Sequence, residues 1–271
     1  MAGDIPDAVR DAALFFRTRF AAPPEGSVST KIPKAGWSIY IGLGPALGVV
    51  GVEALAVDET EEVVAEARRI LRDHGKTRGI WFIPEACTPV GLANELQRLG
   101  FVPFTDVPGD EPRAAVMVAT EPPPQGPADV TAREAQSQEE FRAGWAVVQG
   151  AFEFSDEDQR ALDDASAAAW ELVEKDLTPN RTFVAIVGGE VVGCGVAVYG
   201  DVTVQLIGGS TREDMRGRGI YRSLVRARWD AAAERGTPAL TVEAASTSRP
   251  ILEQLGFATI GWVDTLLDQF N

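Results

Sequence analysis

The residues of this chain whose types and spacing could do chemistry gather between positions 202 and 224, and the chemistry they suggest is anion binding. A β-branched run there breaks into Arg216-Gly217-Arg218-Gly219-Ile220-Tyr221 and resumes as a helical pattern. Two glycines let the backbone turn tightly with no Cβ in the way. The first N–H groups of the following helix have no partner within it, and the helix dipole favours negative charge at that end. Two arginines add fixed positive charge to a chain that carries 25 Lys and Arg against 40 Asp and Glu. Strand, glycine turn and helix start together form a cradle for a pyrophosphate.

Residue types exclude several other chemistries. No Lys follows the glycines, as a P-loop requires, and only Gly217 and Gly219 fall in the turn, where a dinucleotide fold places three glycines. The string Gly42-Leu43-Gly44-Pro45-Ala46-Leu47-Gly48 suits a hairpin better than a nucleotide loop, because Pro45 and the β-branched run after it disfavour a helix start. The single histidine, His74, lies at a polar helix end. Cys87 and Cys194 stand far apart without metal-ligand spacing and are expected to be buried, reduced thiols. Neither a metal nor histidine-based catalysis is expected. The net charge of −15 argues against nucleic acid and is compatible with a cationic substrate such as an amine. With no run of about 18 apolar residues and no basic leader, a cytoplasmic protein without a membrane partner is expected.

The elements that position the cradle follow from periodicity. Residues 202–211 read as its strand, 221–235 as its helix, 239–244 as the next strand and the last residues as a further β-rich run. Ahead of them come helices over 137–152 and 156–175 and a hairpin, 182–187 and 191–199, split by Gly188-Gly189-Glu190. The first half reads as a helix over 5–20, strands 36–43 and 48–57, a helix 60–75, a strand 79–83, a helix 89–99 and a strand 114–119 that closes the half. Glu121-Pro122-Pro123-Pro124-Gln125-Gly126-Pro127 reads as a stiff, extended linker. Domains are therefore expected at 1–120 and 129–271, joined by 121–128.

Residues 216–221 resemble motif A of the GNAT superfamily of acetyl-CoA-dependent acyltransferases, Arg/Gln-x-x-Gly-x-Gly/Ala. Arg216 opens the motif, Gly219 is its central glycine, and Tyr221 stands where Gly or Ala is usual. Downstream, Ser248-Arg249-Pro250-Ile251-Leu252-Glu253-Gln254-Leu255-Gly256-Phe257 looks like motif B of the same family, and Leu99-Gly100-Phe101 repeats its ending in the first half. The resemblance implies an α+β (mixed α/β) fold of two tandem GNAT-like domains. Each would be a mixed, mostly antiparallel sheet with a V-shaped splay, flanked by helices. The first would be a degenerate copy without CoA, and the second would bind acetyl-CoA as co-substrate.

It also implies roles. Backbone groups of Gly209, Ser210 and Thr211 would hold the pantetheine arm, and the N–H groups of Arg216, Gly217, Arg218, Gly219, Ile220 and Tyr221 the pyrophosphate. A backbone N–H near Gly209 would stabilise the tetrahedral intermediate. A primary amine would attack directly, without a covalent enzyme intermediate. The family's usual general-base position is Gln205 here, and its usual general-acid position is Leu252.

Three accounts of the missing proton carriers remain. A water relay could use Glu243 or Tyr199. An acceptor of low pKa could need little help, since such help is typically worth ~10²–10⁴-fold. Or the protein binds an acyl-CoA without transferring from it, as a sensor. Glu153, Asp156 and Glu157, between the two helices that border the acceptor site in the family, could form an acidic mouth for a small-molecule or peptide amine. A solvated helix start explains them equally. The duplication suits a monomer or a homodimer.

Overall fold

The strands of the first half that lie nearest its middle are apolar on both faces, which suits strands covered by helices on two sides. A computed structural model describes residues 5–23, 29–42, 47–56, 58–105, 111–152 and 156–270. Its first half runs α1 (Asp7–Leu14), α2 (Phe16–Arg19), β1 (Thr30–Lys34), β2 (Trp37–Ile41), β3 (Leu47–Val52), α3 (Thr60–Asp73), β4 (Arg78–Pro84), α4 (Leu92–Arg98), β5 (Val102–Pro103) and β6 (Arg113–Ala119). The second runs β7 (Thr131–Glu134), α5 (Gln138–Phe152), α6 (Asp156–Glu174), β8 (Asn180–Val187), β9 (Glu190–Tyr199) and β10 (Val204–Thr211). A 3₁₀ turn (Glu213–Met215), α7 (Ile220–Glu234), β11 (Leu240–Ala244), α8 (Arg249–Gln254) and β12 (Ala258–Gln269) complete it.

The described strands form one mixed sheet in the order β1-β2-β3-β4-β12-β6-β11-β10-β9-β8-β7, with β5 beside β12. Only β3/β4 and β10/β11 pair in parallel. The order is nearly palindromic about the β12/β6 pair, as a duplicated α+β unit requires.

The structure differs from expectation on residues 114–119. They do not close the first half. β6 leaves it and pairs with β11, from Leu240↔Ala119 to Ala244↔Ala115, while β12 crosses the other way and pairs with β4 from Val263↔Pro84 to Gln269↔Arg78. Each half thus completes its core with a strand from the other. Ala115, Met117 and Ala119 pack with Leu224, Trp229 and Leu240, and Leu266 and Phe270 pack with Ile39, Leu71 and Trp81.

Helices α3, α4, α7 and α8 cover one face of the sheet, and α1, α2 and α5 the other. The stripe expected as one helix over 5–20 breaks at Phe15 (φ −112°, ψ 30°). The break lets α1 set Val9 and Ala13 against Val116 and Val263 while α2 turns Phe16 onto Val196 and Val198. The proline-rich linker is docked: Arg226 donates to the Pro123 carbonyl at 2.9 Å, and a Cβ on Gly126 would fall 1.9 Å from the Ser223 hydroxyl of α7.

Candidate active site

β10 and β11 begin side by side and then part. They pair at Val204↔Leu240, Gln205↔Thr241 and Leu206↔Val242 and no further, while β11 stays paired with β6 along its other edge to Ala244. On its far side β10 carries an irregularity: its register with β9 shifts between Ile207 and Ser210. Gly208 takes φ +61°, a backbone state that favours glycine, at that bulge. Beyond Leu206 the strand therefore presents backbone groups with no β11 partner among the described residues, and Ile207 is an exposed apolar side chain there. The corresponding strands of the first half stay together over five pairs, Leu47↔Arg78 to Gly51↔Phe82, and β2/β3 shows no such shift. The two glycine-containing parallel pairs thus differ: one is open and one is shut.

The turn after β10 ends in an uncapped helix. Gly217 (φ +75°) and Gly219 (φ +73°) are both left-handed, and Gly219 is the residue ahead of α7. A Cβ on Gly219 would also meet the Pro127 ring at 2.8 Å. The first helical bond runs from the Ser223 N–H to the Gly219 carbonyl, and no side chain among the described residues caps the end. The N–H groups just ahead of Ser223 are therefore available to an anion. The Arg216 N–H is not among them, since it donates to the Glu213 carbonyl at 3.2 Å. The Arg216 side chain is exposed and has no ion pair with a described residue, whereas Arg218 lies 3.4 Å from Asp129. Ile220 is buried in the core, so only its backbone faces outward. Tyr221 lays its ring on the bulge: a Cβ on Gly209 would fall 2.5 Å from that ring. Burial raises the Tyr221 phenol above its ordinary value.

The face of the sheet beneath α2 carries the polar groups nearest the split. Gln205 is buried, and its Oε1 accepts from the Thr241 hydroxyl at 2.5 Å. Two residues on, Glu243 stands just past the last β10/β11 pair. Its Oε2 accepts from Arg17 Nη2 of α2 at 2.6 Å. Arg17 is held from several sides by the first half. Its guanidinium lies 4.1 Å from the Phe82 ring centroid, its carbonyl accepts from the buried Ser38 hydroxyl at 3.0 Å, and a Cβ on Gly51 would come within 2.6 Å of it.

The other residues singled out from the sequence lie elsewhere. Tyr199 pairs with Val204 and packs with the α7 core, on the opposite face from Glu243, so the structure does not bring these two together. Its hydroxyl is enclosed without a hydrogen bond among the described residues, and burial raises its pKa. Leu252 is wholly buried. Glu153 lies outside the described residues, and Asp156 and Glu157 open α6 with side chains that are likewise outside them. Cys87 and Cys194 are buried free thiols, pushed up to about 11 and about 12 by desolvation. Among the described residues no cluster of His, Cys, Asp and Glu could hold a metal, and no helix is long and apolar enough to cross a membrane. Sequence reasoning missed Arg17, for which no local signal exists: its partner lies 226 positions away.

Comparison with known proteins bears on this geometry. Residues 145–257 match the model of the acetyltransferase (GNAT) family. No curated protein matches the sequence. Among solved structures, a GCN5-related N-acetyltransferase from Kribbella flavida superposes with a TM-score of 0.66 at 16% identity, over 98% of this chain and 96% of that one. Another, from Sphaerobacter thermophilus, gives 0.60 at 17% identity over 87% and 77%. A tandem GNAT protein from the clavulanic acid biosynthesis pathway, in a form without AcCoA, gives 0.60 at 13% identity over 97% and 88%. At these identities the likeness is one of fold.

Proposed function

From the match of residues 145–257 to the acetyltransferase (GNAT) family model and the chain's likeness in fold to tandem GNAT proteins, we propose that the protein moves an acetyl group from acetyl-CoA to a primary amine by direct attack. The observation that carries the reading is the parting of β10 from β11 after Leu206 beside a helix whose start is uncapped. In this reading Gly209, Ser210 and Thr211 hold the pantetheine arm through their backbone. The N–H groups of Gly217, Arg218, Gly219, Ile220 and Tyr221 receive the pyrophosphate, with the Arg216 side chain as counter-charge. The first half, whose parallel strands stay paired, holds no CoA.

The chemistry needs one proton acceptor. The amine nitrogen attacks the thioester carbonyl, the C–S bond breaks, and the nitrogen sheds a proton. We assign that proton to Glu243, whose Oε1 has no hydrogen-bond partner among the described residues while Oε2 is held by Arg17. The leaving thiol resembles a cysteine thiol, with an ordinary pKa of about 8.5, so it departs near neutral pH with little acid help. Tyr199, on the other face, takes no part. On the sequence alone, the acidic Glu153, Asp156 and Glu157 would favour a cationic acceptor. In this reading the protein works in the cytoplasm.

Calorimetry with acetyl-CoA and thiol release with a panel of primary amines test the proposal. We expect saturable binding, turnover with at least one amine, and loss of both in Gly219→Val, whose side chain meets Pro127 and a strained φ. Binding without turnover on any amine would favour an acyl-CoA sensor, a reading suggested by the buried Gln205 and Leu252. Unchanged binding by a folded Gly219→Val protein would overturn both.

A further inference from the structure

Besides β6, which pairs with β11, the first half sends one charged side chain to the split strands. Arg17 crosses from α2 to Glu243 and is the one charged side chain in contact with it among the described residues. The neighbouring polar groups on that face, Gln205 and Thr241, are bonded to each other and do not titrate near neutral pH. Arg17 and Glu243 are both largely enclosed, with side-chain exposures of 25% and 13%. The approach of α2 depends on the absence of a side chain at Gly51, because a Cβ there would lie 2.6 to 2.9 Å from Arg17 Cβ, C and O. Phe82 beneath the guanidinium and Ser38 on the Arg17 carbonyl fix it further. A surface ion pair has no need of such placement, since exposed pairs are formed by mobile side chains and contribute little.

We infer that Arg17 is a positioning residue: by holding Oε2 of Glu243 it aims Oε1 at the acceptor amine, so that the first half of the chain contributes directly to the reaction of the second. This rests on the transferase reading and on Glu243 as proton acceptor. A carboxylate on a strand can rotate about its side-chain bonds, and one fixed donor on one oxygen removes that freedom. A guanidinium stacked on an aromatic ring is a rigid donor for the purpose. The arrangement also accounts for a tandem chain in which one parallel strand pair is shut: that half supplies the helix that completes the open one.

The test is a double-mutant cycle on turnover of acetyl-CoA with the best amine of the panel, with acetyl-CoA affinity and thermal unfolding measured for every variant. Arg17→Gln is expected to lower kcat by about 10²-fold while acetyl-CoA affinity and the amine KM stay within about threefold of wild type. Glu243→Gln is expected to lose a similar factor, and the double variant to be no worse than Glu243→Gln alone, because a residue that acts through another loses its effect when the other is gone. Arg17→Lys, which keeps the charge, is expected within about tenfold of wild type. Should Arg17→Gln fail to fold, Gly51→Ala keeps both side chains, displaces α2 and is expected to lower kcat alone.

Equal losses from Arg17→Gln in the wild-type and Glu243→Gln backgrounds, or an effect on KM alone, would overturn the inference. Thiol release that is indifferent to Glu243→Gln would overturn it and leave the transferase reading standing. No release by wild type with any amine would overturn both.

Discussion

Asp268, near the end of β12, is 1% exposed and grips Arg68 of α3 through Nε at 2.9 Å and Nη2 at 2.7 Å, across 200 positions of sequence. The hydrogen bond to Asp268 holds the Arg68 guanidinium above its ordinary value. This pair fastens the exchanged strand to the half that receives it. Asp268→Asn should therefore cost about 3 kcal/mol, the low end for breaking a buried pair because Arg68 retains some solvent. The urea midpoint would fall with an unchanged slope.

Strand exchange also bears on the division at the linker. We propose that 1–120 and 129–271 are two halves by descent and one unit by folding. Expressed separately, each lacks the strand that the other supplies, and neither should unfold cooperatively. Co-expressed, the two should restore a single thermal transition. Two independently cooperative fragments would refute this.

Arg216 is exposed and has no ion pair with a described residue. Arg216→Ala should weaken acetyl-CoA binding about tenfold, as the loss of a bond to a charged group does. Stability should move by less than about 0.5 kcal/mol. Calorimetry at low and high salt checks the cause, since the wild type should lose more affinity with salt than the variant.

Arg228 of α7 is fully buried, with Nε on the Leu224 carbonyl at 3.0 Å and Nη1 on the Val196 carbonyl at 3.3 Å. Desolvation pushes it below its ordinary value, and no carboxylate contacts it among the described residues. The glycine at 195 makes room: a Cβ there would fall 2.8 Å from Nη1. Gly195→Ala should cost about 1–3 kcal/mol by overpacking. In an Arg228→Met background the same change should cost clearly less, which chemical denaturation would show.

Glu140 opens α5 and is held down to about 2, first by the Arg133 guanidinium and then by the Gln136 N–H. A folded-state value below the unfolded one means stability that is present above pH about 4.5 and lost as pH falls toward 2. The stability gap between wild type and Glu140→Gln should accordingly narrow over that window. A gap that stays constant from neutral pH to pH 2 would rule out the ionised pair as its source.

Much of the local structure was legible. Helices over 60–75, 137–152 and 221–235 and the strands on either side of the glycine turn fall within a residue or two of their expected places, because their periodicity is strong and their breakers are unambiguous. The edge strands β1 and β7 were not, since Thr30–Lys34 and Thr131–Glu134 are short, polar and partly exposed. The route of β6 was not either. Residues 114–119 are apolar on both faces, so they suit the middle of any sheet, and nothing in them names a neighbour. At the site, Gly217 and Gly219 announced the turn, but Tyr199 and Glu243 were separated only when alternation along paired strands put them on opposite faces.

The sequence by itself determined most element types, the glycine turn ahead of a helix and the duplicated order, because each depends on neighbours within a few positions. Tertiary structure alone decided that β6 and β12 change places, that β10 leaves β11 after Leu206, and that Arg17 meets Glu243. Those outcomes depend on which distant surfaces exclude water together. A side chain carries no record of its partner across the fold until the strands between them are laid down.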